Sequence, residues 1–189
     1  MKNVEVVVNV TGSCDLKDIE QQLGKIKNEF ALKNIKSEVS FFSFGERFSI
    51  DLNSLDLPLK NTENFFMGGD DFNAILKDKL KSNPDVLVFI GDCEDAPIEK
   101  TTTYKTENTQ LVFIQSRNKS MNDDTKMDTT LVKSFLSIVG HLSNVRLTNT
   151  EEFTSIEDIL NKNPSIQEKI TNLRIASTSS SSDLKLNPE

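Results

Sequence analysis

Oxygen-bearing side chains gather in three short segments of this 189-residue chain. They are Asn9-Val10-Thr11-Gly12-Ser13, Gly68-Gly69-Asp70-Asp71-Phe72 and Ile90-Gly91-Asp92-Cys93. Carboxylate, hydroxyl and amide oxygens are the hard donors that Mg²⁺ prefers. The same groups also cap helices and complement their dipoles, so the residue types alone leave both readings open. The only thiols, Cys14 and Cys93, fall at the first and third segments. His141 is the only histidine, which leaves a histidine-based zinc site or a catalytic triad without its partners. There is no HExxH and no nucleophile elbow.

The elements that would position these segments follow from periodicity. Val4 to Val10 is a nearly continuous β-branched run, as a buried strand requires. Leu16, Ile19, Leu23, Ile26 and Phe30 recur at helical spacing, with Asp15 as the expected N-cap and Asp18 at the positive end of the dipole. Val39 to Phe44 predicts a second strand, and Gly45 turns it into a partner around Arg47 to Ile50. Asp51 to Met67 reads as irregular loop. A helix carrying Phe72, Ile75, Leu76 and Leu80 is then closed by Asn83-Pro84. Strands are expected at Val86 to Ile90, Leu111 to Ile114 and Asn144 to Leu147, and helices at 131–142 and 155–160. Pro164 suits the first position of a last helix with Ile166, Ile170 and Leu173 on one face, and Ser177 to Ser182 opens a polar, low-complexity end.

Strands alternating with helices predict an α/β fold with a mostly parallel central sheet. Ligands in such sheets sit beyond the carboxyl ends of the strands, where the strand order reverses. The three oxygen-rich segments begin at such ends. The expected division is a domain over 1–162, an amphipathic helix over 163–176 and a disordered tail over 177–189.

Composition narrows the function classes. A net charge of −7 and the lack of a basic stripe with interleaved aromatics argue against nucleic acid. No apolar run approaches the roughly 20 residues of a membrane span. Two cysteines are too few for a disulfide scaffold and fit a reducing compartment, so a cytoplasmic protein is expected.

The first segment resembles the Asp-x-Ser-x-Ser motif of von Willebrand factor A domains, the MIDAS motif. The second resembles the Gly-Gly-Thr-Asp-Phe turn of one branch of that superfamily, and the third its Thr-Asp-Gly. The motifs, together with the acidic, proline-containing stretch Glu94 to Gln110, are most similar to the A-like domains of bacterial metallopeptidase-associated proteins. The resemblance covers Val4 to Gln115 by motif. It implies a three-layer, Rossmann-like A-type fold and a divalent-cation site, for Mg²⁺ or Mn²⁺, made of Asn9, Thr11, Ser13, Asp70 and Asp92. Each motif departs from the family: Asn9 replaces an acid, Asp70 a threonine and Cys93 a glycine. The carboxylate lost at position 9 is regained at position 70, and an octahedral Mg²⁺ site usually needs only one or two.

The resemblance implies a protein-protein interaction module in which a partner's acidic residue completes the cation's coordination. A metal-dependent hydrolase is the second reading, with Asp71 or Glu94 as the base, though nothing singles them out. A scaffold or assembly protein with a silent ion site is the third, with the Ile166-Ile170-Leu173 face as a docking helix. Cys14 and Cys93 would flank the ion site and could pair or bind a soft metal. Phe65-Phe66-Met67 serves either as core or as an apolar rim.

Overall fold

A computed structural model describes residues 3–9, 14–43, 46–60, 72–91, 108–116 and 144–163. Its strands are β1 (Val4–Asn9), β2 (Ser37–Ser43), β3 (Glu46–Asp51), β4 (Val86–Gly91), β5 (Gln110–Gln115) and β6 (Val145–Asn149). They form one six-stranded sheet in the order β3-β2-β1-β4-β5-β6. Every neighbouring pair is parallel except β2 and β3. The helices are α1 (Leu16–Leu32), α2 (Phe72–Leu80) and α3 (Ile156–Lys162). The expected mixed α/β architecture with a mostly parallel sheet is therefore present. The helix expected at 131–142, the one opened by Pro164 and the polar end lie outside the described residues. Among the described residues no helix is long and apolar enough to cross a membrane.

Side-chain alternation divides the sheet into two faces. Val6 of β1 lies between Val39 and Val88, and these belong to a core cluster with Ile19, Leu23, Ile26 and Phe30 of α1. Phe153, Ile156 and Ile159 join the same cluster, so α1 and α3 cover this face. The stretch from Asp51 to Met67, expected to be irregular, is described as far as residue 60 and contains a 3-10 turn at Leu52–Ser54. Leu52 and Leu55 are buried there, because a single turn can bury a leucine without generating any period.

The ends of α1 follow local chemistry. The Asp15 carboxylate accepts from the Lys17 backbone N–H at 3.1 Å, as expected of an N-cap. At the other end Asn34 takes a left-handed φ of 53°. The Ile35 N–H reaches the Phe30 carbonyl at 2.9 Å and the Asn34 N–H reaches Ala31 at 3.3 Å, the paired bonds of a Schellman motif.

The second face carries Val7, Phe89 and Phe113, with the two phenylalanine ring centroids 5.9 Å apart. It meets α2, whose buried side chains include Ile75, Leu76 and, against the sequence pattern, Lys79. Leu80, expected on the buried face, is only half-buried. The helix presents Lys79 instead because Glu5 of β1 stands opposite: the ammonium lies 3.2 Å from its carboxylate and donates to Ser40 Oγ at 2.8 Å. Ser40 Oγ in turn lies 2.9 Å from Ser49 Oγ of β3.

The junction of α1 with α3 is polar as well as apolar. Glu29 of α1 accepts from the backbone N–H groups of Ile156 at 2.6 Å and Glu157 at 3.2 Å, while Ser155 Oγ accepts from Asp158. Three orphan donors of the α3 N-terminus are thus satisfied, two of them from another helix. Lys33 bridges Glu29 and Glu157. Its hydrogen bond to Glu157, with the nearby Glu29 charge, holds its pKa above the usual 10.5. Asp158 is held below 3.8 by the hydrogen bonds from Lys162 and Thr154.

The signs of these shifts predict a pH window for α3 docking. A raised lysine pKa stabilises the fold fully below 10.5 and stops doing so as pH climbs through the higher folded value. A lowered aspartate pKa stabilises above 3.8, and the effect fades as pH falls through the lower folded value. Amide exchange at Ile159 should therefore be slowest between these limits, relative to its intrinsic rate. Lys33→Met should remove the alkaline limb; an unchanged alkaline limb in that variant would exclude Lys33 as its source.

Candidate functional site

The sheet order reverses direction at β1 and β4. From β1 the chain passes through α1 to β2 on one side, and from β4 it passes to β5 on the other. The carboxyl ends of two adjacent parallel strands with diverging exits leave a crevice between them, the place where ligands bind in open α/β sheets. Those ends are Asn9 and Gly91, next to each other in register since Val8 pairs with Ile90. The first and third oxygen-rich segments start there.

Cys14 extends this geometry. It is fully buried, and the Ser116 hydroxyl donates to its Sγ at 3.9 Å. Ser116 follows β5, and its backbone N–H donates to the Gly91 carbonyl at 2.9 Å. The chain thus leaves β1 at Asn9 and is next described at Cys14, beside the end of β5. With β4 lying between β1 and β5, those two points stand on either side of the strand from which Asp92 follows. Two strand spacings amount to about 10 Å, within reach of the intervening four residues.

The five residues assigned to an ion site stand as follows. Asn9 closes β1, paired with Phe42 in the backbone register. Asp92 comes directly after Gly91, and Asp70 two residues before α2. Thr11, Ser13, Asp70 and Asp92 themselves lie outside the described residues, as do Asp71, Cys93, Glu94, His141 and Phe65-Phe66-Met67. Among the described residues no group of three or more His, Cys, Asp or Glu could hold a metal ion. The donor set still suits a hard cation chemically, with two carboxylates, two hydroxyls and an amide oxygen.

Two polar clefts escaped the sequence reading. One, of about 410 Å³, lies at the opposite edge of the sheet, with Glu5, Lys79, Lys36 and Asp51 among its walls. The other, of about 350 Å³, lies at the start of α1 and is bounded by Asp15, Asp18, Lys25, Thr150 and Glu151. A sequence signal existed for the second. Asp18, Gln21 and Lys25 of its wall repeat at helical spacing beside the apolar stripe of α1. Such a polar stripe ordinarily marks a solvated face, but here Asp18 is buried and Lys25 half-buried.

Neither the protein-family models nor the curated proteins compared with the chain give a match.

Proposed function

We propose that this chain is a von Willebrand factor A-like domain that binds a protein partner through a divalent cation at the carboxyl edge of its sheet. The three-layer A-type fold is part of that reading. One observation carries it: Asn9 and Gly91 end adjacent parallel strands at the reversal of strand order. The A-type arrangement needs its first and third loops on neighbouring strands, and the sequence puts Asn9-Val10-Thr11-Gly12-Ser13 and Asp92 there. The position of Cys14 beside Ser116 adds support, since it draws the end of the first loop past β4.

In this reading Asp70 and Asp92 supply the negative charge and Asn9, Thr11 and Ser13 supply neutral oxygens. The bound Mg²⁺ or Mn²⁺ would offer an open coordination position to a carboxylate of the partner. A small contact then gains electrostatic strength from a desolvated charge pair. The surrounding loops would determine which partner fits.

The test is thermal. Mg²⁺ or Mn²⁺ at 100 times its Kd should stabilise the fold by about 2.7 kcal/mol. For a chain of this size that is a rise of about 5–10 °C in Tm. Asp92→Ala should abolish the rise and release the partner in affinity purification, as should a chelator. A wild-type Tm that is indifferent to millimolar cation would overturn the ion-dependent reading.

A further inference from the structure

The outer edge of β3 lacks the usual guards against pairing. Strands at the edge of a sheet turn every second N–H and C=O outwards, and natural chains blunt such edges with lysine, proline or a bulge. β3 ends the sheet order, with a strand on one side only among the described residues. Glu46–Asp51 contains neither lysine nor proline. Its register with β2 runs unbroken from Glu46 opposite Ser43 to Asp51 opposite Glu38, so no bulge turns the edge away.

An apolar surface accompanies that edge. Phe48 is 50% exposed, more than any other large hydrophobic side chain among the described residues except Leu32. Its ring centroid lies 6.4 Å from that of Phe41, which is buried. Ile50, opposite Val39, is half-buried against the core on the same face. The other face of β3 is polar: Ser49 meets Ser40 there, and alternation places residues 47 and 51 on either side of it.

We infer that this edge is occupied by β3 of a second copy of the chain, laid antiparallel about a two-fold axis through Ser49. Residues opposite each other in an antiparallel pair share a face, so the axis must pass through a residue position. Centred on Arg47, the pairing sets like charges opposite each other. Centred on Phe48 it sets Glu46 against Ile50, and centred on Ile50 it runs past the strand to the buried Leu52. Centred on Ser49 it sets Phe48 opposite Ile50 twice, and residue 47, an arginine, opposite Asp51 twice. Both faces then match, aromatic against aliphatic and charge against opposite charge. The charge complementarity of the strand with itself thus selects both the partner and the register.

Such an isologous contact uses the edge on both copies and closes β3 to a third chain. Two six-stranded sheets become one of twelve strands. The axis runs normal to the sheet, so the carboxyl ends of β1 and β4 in the two copies face opposite ways. The inference does not rest on the ion site, and its test runs in chelator.

Sedimentation equilibrium of the full chain, from about 1 µM to 1 mM, should show a reversible monomer–dimer equilibrium, as a small contact gives. Phe48→Lys changes an exposed side chain and should weaken dimerisation at least about tenfold with little change in Tm. Arg47→Asp sets aspartate opposite Asp51 and should do the same, and adding Asp51→Arg should restore most of the dimer. Asp51 also accepts from the Asn53 N–H at 2.8 Å, so a second pair of variants reads the register without touching it. Under mild oxidation Ser49→Cys should form a covalent dimer absent from wild type, whereas Asn53→Cys, beyond the strand, should not. A chain monomeric at the highest concentration, a dimer indifferent to Phe48→Lys, or equal crosslinking through positions 49 and 53 would overturn the assignment. So would a double variant that folds yet dimerises as weakly as Arg47→Asp. A chain that dimerises as expected yet ignores Mg²⁺ would reject the ion site alone.

Discussion

Lys79→Met is expected to destabilise the fold by about 3 kcal/mol in urea unfolding, near the lower end for breaking a buried ion pair. The lysine side chain is 4% exposed and that of Glu5 17%, so both charges have left most of their water. Removing the ammonium strands the Glu5 carboxylate under α2, with Ser82 as its remaining described hydrogen-bond donor. It also takes a donor from the Ser40–Ser49 hydroxyl pair that ties β2 to β3. The cost therefore comes from the orphaned partner more than from the lost attraction. Glu5→Leu combined with Lys79→Met removes both charges and should recover most of the loss. A double variant as unstable as the single one would show that packing of the lysine stem, not charge, is what matters.

The second large effect belongs to Glu29. Glu29→Ala should cost about 2–3 kcal/mol, the scale of buried hydrogen bonds to a charged group. Its carboxylate holds the first two N–H groups of α3, a helix of only seven residues that cannot stand alone. The change should be local first. Hydrogen exchange at Ile156 and Glu157 should accelerate well before exchange in β4 and β5. Glu29→Gln, which retains a neutral acceptor, should fall between wild type and alanine. Uniform acceleration across the sheet would mean that α3 and the sheet open as one unit.

What could be read in the sequence was what repeats. The valine run of β1 and the 19-23-26-30 stripe of α1 announce their elements because burial imposes a period on them. Asp15 announces its cap because the bond it makes is two residues away. Glu29 shows no such sign, since its partners are 127 and 128 residues distant. Lys79 misleads, because a lysine within an apolar helix face looks like the edge of that face until Glu5 is seen opposite. For the candidate site, the alternation of elements made a mostly parallel sheet legible, whereas the strand order that brings Asn9 beside Gly91 does not follow from alternation and was implied only by the resemblance. The link from Cys14 through Ser116 to Gly91 was legible in neither, because it depends on where two loops meet.

β1 lies inside the sheet, with β2 on one side and β4 on the other. During synthesis its two edges are therefore covered at different times. The flank with β2 and β3 is complete once Asp51 has been made, whereas β4 ends at Gly91. At about 5–20 residues per second, the 40 residues between them take about 2–8 s on the ribosome. Through that interval a valine-rich strand has one open edge, the kind of segment that recruits neighbouring nascent chains. A charge inside such a run acts as a gatekeeper against that recruitment. Glu5 is already in place to do so, 74 residues before the lysine that will later neutralise it has been translated.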